Sequence, residues 1–316
     1  MGEYRLMNEL PLMSVIIPTY NRAGLINRAL QSVLNQSYPN VEIVIVDDAS
    51  TDDTERVIAE LKLPNTTYCK NKVNMGSQAS RNIGIKLSRG QYINFLDSDD
   101  ELMPQKLELQ YRTFLKSSPD VGVVYSYCGT VDDASKVENE WCFNLQGNIY
   151  KQLLRSPSID FITPLVKREC LEKIGFLDEL VASYQEWDTL LRISKYYRFQ
   201  LVPEKLAVYH YHSGETISKD IGKDLLGYVY IVKKHRRDIL RNCSRAVMAH
   251  HYRELTSRYF LNNQRLRGSI QYSRALAYNP IVAVYDAYAF TIRVLSWVKH
   301  IKNLRWLVPQ TRQNMN

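Results

Sequence analysis

The first 125 residues alternate between short apolar runs and amphipathic stretches. Ser14–Pro18 is a β-branched run closed by proline, the pattern of a buried parallel strand. Over Ala23–Gln36, the side chains of Leu25, Ile26, Ala29, Leu30, Val33 and Leu34 share one helical face. Val41–Val46 predicts a second strand, and Thr51–Leu61 a second helix with Asp52 and Asp53 near its positive N-terminus. Asn65–Cys69 follows as a third strand, Ser77–Leu87 as a third helix and Tyr92–Leu96 as the next strand, with a helix over Glu101–Leu115 behind it. Strands alternating with helices imply a mostly parallel sheet covered on both faces, and right-handed crossovers narrow the topology to a doubly wound α/β sandwich.

After Pro119 the pattern is mixed. Val121–Tyr127, Phe161–Lys167, Phe199–Val202 and Leu206–Tyr211 read as strands; Gly147–Leu154, Glu169–Ile174 and Trp187–Tyr197 read as helices. Beyond Ser218 the signals are helical, with few turn residues before Pro280. The expected organisation is an α/β domain over residues 1–218 and a helical C-terminal region over 219–316.

Ligands of a doubly wound sheet bind outside the carboxyl ends of its strands. Here those ends are Thr19-Tyr20-Asn21, Asp47-Asp48-Ala49-Ser50 and Asp97-Ser98-Asp99-Asp100, so a polar, largely acidic rim forms at one edge. The first strand–helix turn, PTYNRAG, has neither a G-x-G-x-x-G nor a G-x-x-x-x-G-K-[ST] pattern, which disfavours a dinucleotide or a P-loop triphosphate. Acidic groups repel bare phosphates unless a divalent cation lies between them. Hard cations such as Mg²⁺ take one or two carboxylates plus phosphate oxygens. In an extended Asp97-x-Asp99 segment both carboxylates would point to one side; the plainer alternative is a solvated turn or a helix cap.

Charge divides the chain. Residues 1–218 carry an excess of five acids and residues 219–316 an excess of thirteen bases, within an overall +8. The basic region is either a solvated helical surface or a contact for anionic lipid, phosphate or nucleic acid, and no nucleic-acid recognition motif accompanies it. Pro280–Trp306 mixes Tyr285, Tyr288, Phe290, Trp297 and Trp306 with Lys and Arg. That fits a helix lying in a membrane interface, or one packed on the domain, better than a spanning helix. Five scattered cysteines without a CxxC pair point to a reducing compartment. The N-terminus has no apolar signal run, and Gly2 lacks the hydroxyl residue at position 6 that myristoylation requires. The expected location is cytoplasmic, with the inner face of the cell membrane as a peripheral contact.

Five runs taken in order, SVIIPTYNR (14–22), VDDASTDDT (46–54), NMGSQASRNIG (74–84), GQYINFLDSDDELMP (90–104) and QEWDTLLR (185–192), resemble the inverting family-2 glycosyltransferases of the GT-A fold. The resemblance covers roughly residues 13–218 and implies a site. Pro18 and Tyr20 would hold the nucleobase, Tyr20 by stacking. Asp48, an acceptor-only carboxylate, would take the imide N–H of uracil or thymine, whereas Asp47 reads as structural. Arg81 would offset diphosphate charge. Asp99 would bind the metal, Mn²⁺ or Mg²⁺, and Asp97 would lie near ribose and metal. Asp100 would either touch the donor sugar or cap the next helix.

The family often reads E-D-W-D where this chain has Gln185-Glu186-Trp187-Asp188, so Glu186 aligns with the catalytic base and Asp188 is the fallback. A purely structural pairing of either acid with Arg192 is the alternative. In AVYHYHSGETIS (207–218), His212 matches a family histidine near metal or diphosphate, and His210 stands where arginine is usual. The resemblance implies a single displacement that inverts the anomeric centre, moving sugar from a UDP- or dTDP-sugar to a saccharide or lipid-linked acceptor in cell-surface polysaccharide or glycolipid assembly. The competing reading is a catalytically weak nucleotide-sugar-binding scaffold that docks partners through its basic tail.

Overall fold

A computed structural model describes residues 10–281, apart from 133, 135–137, 215 and 217–218. The elements, in chain order, are β1 (Met13–Thr19), α1 (Ile26–Leu34), β2 (Val41–Asp47), α2 (Thr54–Glu60), β3 (Thr66–Lys70), α3 (Ser77–Leu87), β4 (Tyr92–Phe95) and β5 (Glu101–Leu102). There follow α4 (Lys106–Lys116), β6 (Val121–Asp132), β7 (Glu138–Trp141), α5 (Tyr150–Leu153), β8 (Leu165–Lys167), α6 (Arg168–Lys173), α7 (Gln185–Ile193) and β9 (Arg198–Tyr211). The last described elements are α8 (Ile221–Asn242), α9 (Arg245–Leu261) and α10 (Arg265–Tyr278).

One nine-stranded sheet has the order β3-β2-β1-β4-β8-β6-β9-β5, with β7 added beside β6. Strands β1–β4, β6 and β9 run in one direction, with β5, β7 and β8 against them. The sheet is thus mostly parallel. Val15 and Ile17 of β1 turn to the face where Leu30 of α1 and Leu107 of α4 complete an apolar core. Ile16 turns to the other face, against α3. There Gly84 explains its place in the RNIG run: a Cβ on it would lie 2.4 Å from Ile16 Cγ2. Alternation along one buried strand therefore decides which helix covers which face.

The first half follows the periodicity closely; the second departs from it. The helix expected from Glu101 begins at Lys106, because Glu101–Leu102 pair instead with Ala207 and Val208 of β9. Phe161–Thr163 turn rather than extend, with Thr163 N–H donating to Asp160 O at 3.1 Å, and β8 starts only after Pro164. The two strands expected in 199–211 are one strand, β9, bulged against β6 around Ser126–Cys128. The helix expected at 187–197 starts at Gln185 and ends at Ile193, and that expected at 147–154 shrinks to Tyr150–Leu153.

The chain divides into two compact units, parting between His235 and Arg236. In the first, α8 contributes buried Leu225, Tyr228, Ile231 and Val232. Gly227 permits its close approach to the chain before α7, since a Cβ there would lie 2.5 Å from Ser183 O. In the second, α9 and α10 form a hairpin around Met248, Ala249, Leu255 and Ala275. The helical signal after Ser218 is present through Tyr278; residues 282–306, and with them most of the expected interfacial segment, lie outside the described residues. Among the described residues no helix is long and apolar enough to cross a membrane.

Candidate active site

The carboxyl ends of β1, β2 and β4 meet at one rim. Pro18 is buried in β1 opposite Val46, and Tyr20, just past the strand, is 43% exposed. The first two strand ends are stitched together: Asp48 N–H donates to Thr19 O at 2.8 Å, Asn21 N–H to Ser50 Oγ at 2.9 Å, and Thr51 N–H to Asn21 Oδ1 at 2.8 Å. Asn21 and Ala49 hold φ values of 52° and 67° there. Left-handed backbone in residues other than glycine is a strained conformation that collects at functional sites.

Asp48 is buried, and its carboxylate orders a loop. Oδ1 accepts from Asn71 Nδ2 and Met75 N, both at 2.8 Å, and Oδ2 accepts from Gly76 N at 2.7 Å. Gly76 immediately precedes α3, so Asp48 fixes where that helix begins. Asp47 is also buried, between Ser50 N–H at 2.7 Å and Tyr68 Oη at 2.8 Å, which is a structural task.

Arg81 of α3 is no surface cation. It is 3% exposed, lies over the Phe161 ring with its guanidinium 4.7 Å from the centroid, and donates to Asp97 Oδ1 at 2.5 Å and Gln185 Oε1 at 2.6 Å. Gln185 also accepts from Ser77 Oγ at 2.9 Å. Helices α3 and α7 and the end of β4 are therefore joined through one guanidinium.

Residues Asp97–Asp100 form a turn, closed by Asp100 N–H to Asp97 O at 3.1 Å, and not the extended segment that the alternate carboxylates suggested. Asp97 and Asp99 consequently reach different partners. Asp99 Oδ2 lies 2.9 Å from His212 Nε2 and 3.5 Å from Arg22 Nε. Gly214 N–H donates to His212 Nδ1 at 3.1 Å, so the ring proton sits on Nε2 and points at Asp99. A hard divalent cation needs one or two protein ligands and takes its remaining oxygens from phosphate. Asp99 with His212 fits that donor set as a half-site once the imidazole proton moves to Nδ1 and the Gly214 N–H contact there is released. Among the described residues no three or more such side chains gather, at this rim or elsewhere.

Asp100 is fully buried. Its Oδ1 accepts from His210 N–H at 2.9 Å, while Oδ2 has no partner among the described residues. Burial, together with neighbouring Asp99 and Asp97, pushes its acid well above the usual carboxylate range. It does not cap α4, whose first residue is Lys106 and which has no side-chain cap. His210 sends its ring toward Glu101, 3.6 Å away.

The QEWD run is resolved by one anchor. Trp187 is buried, and its Nε1 donates to Leu153 O at 2.6 Å. With that ring fixed inside, residues 186 and 188 project about 200° apart around the helix. Asp188 points inward, paired with Arg192 Nε at 2.9 Å, Lys234 Nζ at 2.8 Å and His235 Nε2 at 2.9 Å. Those partners hold its acid down at about 2 despite complete burial, which makes it a poor base. Glu186 is half-buried, and burial, with Asp160 and Asp97 nearby, pushes its acid up to about 7. The Arg192 pairing considered for both acids is thus made by Asp188.

The profile of "Glycosyl transferase family 2" matches residues 14–174. The chain belongs to that family. This glycosyltransferase is similar to Escherichia coli (strain K12) WcaA, whose name assigns it to colanic acid biosynthesis, with 32% identity over 73% of this chain and 83% of that one. An uncharacterized glycosyltransferase of Methanocaldococcus jannaschii is 27% identical over 74% and 82%. Among solved structures, Staphylococcus aureus TarS 1–349 with UDP-GlcNAc superposes at a TM-score of 0.60 with 21% identity, over 84% of this chain and 79% of that one. The Pyrobaculum calidifontis mannosyltransferase PcManGT, with GDP-Man and Mn²⁺, gives 0.58 and 19%, over 93% and 84%. The glycosyltransferase shares their GT-A fold. Three residues of its site escaped the sequence reading. Arg22 and Gln185 stand inside the quoted motifs, but Asp160 has no local pattern to announce it.

Proposed function

We propose that this glycosyltransferase transfers sugar, with inversion, from a UDP- or dTDP-sugar to a hydroxyl of a saccharide or lipid-linked acceptor in cell-surface polysaccharide or glycolipid assembly. One observation carries the reading: Glu186 follows Gln185, which Arg81 ties to Asp97, and its acid is poised near 7. A carboxylate there accepts the acceptor hydroxyl's proton as the oxygen attacks, and a base tuned close to working pH does so best. Arg81 and Arg22 offset the charge of the diphosphate. Tyr20 stacks on the base while Asp48 Oδ2, which already accepts from Gly76 N–H, accepts a second hydrogen bond from the imide N–H of the base. Asp99 and His212 would hold Mn²⁺ or Mg²⁺, which supplies charge stabilisation for the departing diphosphate. The names of TarS, bound to UDP-GlcNAc, and of PcManGT, bound to GDP-Man and Mn²⁺, support a nucleotide-sugar donor, and that of WcaA supports a polysaccharide product.

A peripheral contact with anionic membrane is part of the proposal. Its support in the second unit is the α9–α10 hairpin, where Phe260, Leu261, Leu266 and Ile270 are exposed among Arg258, Arg265 and Arg267. The test of function is a donor screen, UDP-, dTDP- and GDP-sugars, read as released nucleoside diphosphate with and without saccharide acceptors. Turnover of a UDP- or dTDP-sugar, lost in Glu186→Gln while UDP still binds, is the expected result. UDP binding without turnover of any donor would favour the scaffold reading instead.

A further inference from the structure

The outer end of the β7-β6-β9 sheet carries a row of rings that donor binding does not use. By register, Trp141 pairs with Cys128, and Thr130 with Tyr209, while Asp132 pairs with Tyr211. Alternation then puts Trp141, Tyr209 and Tyr211 on one face, over the small side chains of Cys128 and Thr130. The Trp141 and Tyr209 rings stack at 6.4 Å between centroids, and Tyr209 meets Tyr211 edge-on at 4.9 Å. Trp141 and Tyr211 are each 39% exposed, so two large rings stay open to solvent.

The row leads to the reacting centre. Its backing residue Cys128 donates to Gly129 O at 3.3 Å and lies beside the Asp160 carboxyl. The charge of Asp160 acts on both Tyr211 and Glu186. The residue after Tyr211 is His212, on Asp99. Asp160, half-buried, is thus a neighbour of both the last ring and the candidate base.

Resting on the glycosyltransferase reading, we propose that Trp141, Tyr209 and Tyr211 form the platform on which an uncharged pyranose of the acceptor stacks, with Asp160 accepting a hydrogen bond from one of its hydroxyls. A pyranose offers a face of C–H groups that packs on an aromatic ring, and a rim of hydroxyls that need acceptors. The surrounding charge selects against anionic sugars: Asp132, opposite Tyr211, shares the face of the rings, while Glu138 and Glu140 add negative charge from the opposite face, where Lys205 pairs with Glu138 at 3.7 Å.

The full chain is applied to an immobilised panel of uncharged hexose and N-acetylhexosamine oligomers and their uronic acid counterparts. The wild type is expected to retain uncharged oligomers. Trp141→Ala and Tyr211→Ala should each weaken that binding roughly 3- to 10-fold, as for loss of one aromatic contact. Trp141→Phe should keep most of it. Affinity for UDP, measured by calorimetry, should stay at the wild-type value and verify the fold of each variant. Equal binding by the alanine variants, preference for the uronic acids, or a silent panel would each overturn the platform. A wild type that fails to bind UDP would instead defeat the donor reading, and the panel would still decide the platform alone.

Discussion

The pH dependence of transfer is the most demanding consequence of where Glu186 lies. Its acid rises from 4.5 to about 7 because the carboxylate is half-buried and near Asp160 and Asp97. That difference corresponds to roughly 3 kcal/mol between the two protonation states. As a base, Glu186 works only when ionised. Half of the enzyme is active at pH 7 and about a tenth at pH 6, so kcat/KM should fall about tenfold per pH unit below 7. Initial rates of nucleoside diphosphate release between pH 5 and 9 give the limb directly. Glu186→Gln should lower the plateau by roughly 10²- to 10⁴-fold. Asp160→Asn removes a neighbouring negative charge and should move the limb to lower pH without abolishing the plateau. The stability sign runs the other way. A folded-state acid raised above its unfolded value stabilises the fold below about 4.5 and loses that contribution as pH rises through 7, so Glu186→Gln should be at least as stable as wild type at pH 8. A limb centred near 4.5, or a fully active Gln variant, would rule Glu186 out as the base.

Other outcomes follow from the same geometry. Asp188 is lowered from 3.8 to about 2, so its contribution, on the order of 2 kcal/mol, is present above pH 3.8 and lost as pH falls toward 2. Urea unfolding at pH 7 should show Asp188→Asn destabilised by at least that amount, because Arg192, Lys234 and His235 lose their shared partner. Chelation should abolish transfer, Mn²⁺ or Mg²⁺ should restore it, and Asp99→Asn should raise the metal concentration needed for half-activity; transfer indifferent to chelator would remove Asp99 and His212 from that role. Vesicles containing anionic lipid should sediment the protein at low salt, less well for Leu261→Ser with Leu266→Ser, and equal sedimentation would exclude the hairpin as the contact.

How far the sequence could be read depended on how each residue is held. The parallel half was legible because β1, β2 and β4 are apolar, short and ended by turn residues, and a helix follows each of the first two. Where a strand is built by distant pairing, pattern failed. Glu101–Leu102 look helical until β9 supplies their partners, and β7, with its charged run Glu138-Asn139-Glu140, has no apolar signature at all. The same division runs through the site. Asp48, Asp97, Asp99 and Glu186 sit in runs whose order is informative. Asp160 comes near Glu186 through the turn before β8, a fact of tertiary structure. The different fates of Glu186 and Asp188 needed Trp187 to be seen in its socket.

The helix that begins after the change in charge, α8, is also the outer brace of α7. Through Gly227 it lies against Ser183, through Asp224 it takes the Tyr184 hydroxyl, and through Lys234 and His235 it neutralises Asp188. Tyr184 itself has φ 61° immediately before α7, a conformation that needs outside support. The contacts that brace α7 therefore lie beyond the seam visible in the composition at Ser218. A fragment ending there keeps residues 14–174, which the family profile matches, yet loses these contacts to α7, whereas one reaching His235 keeps them.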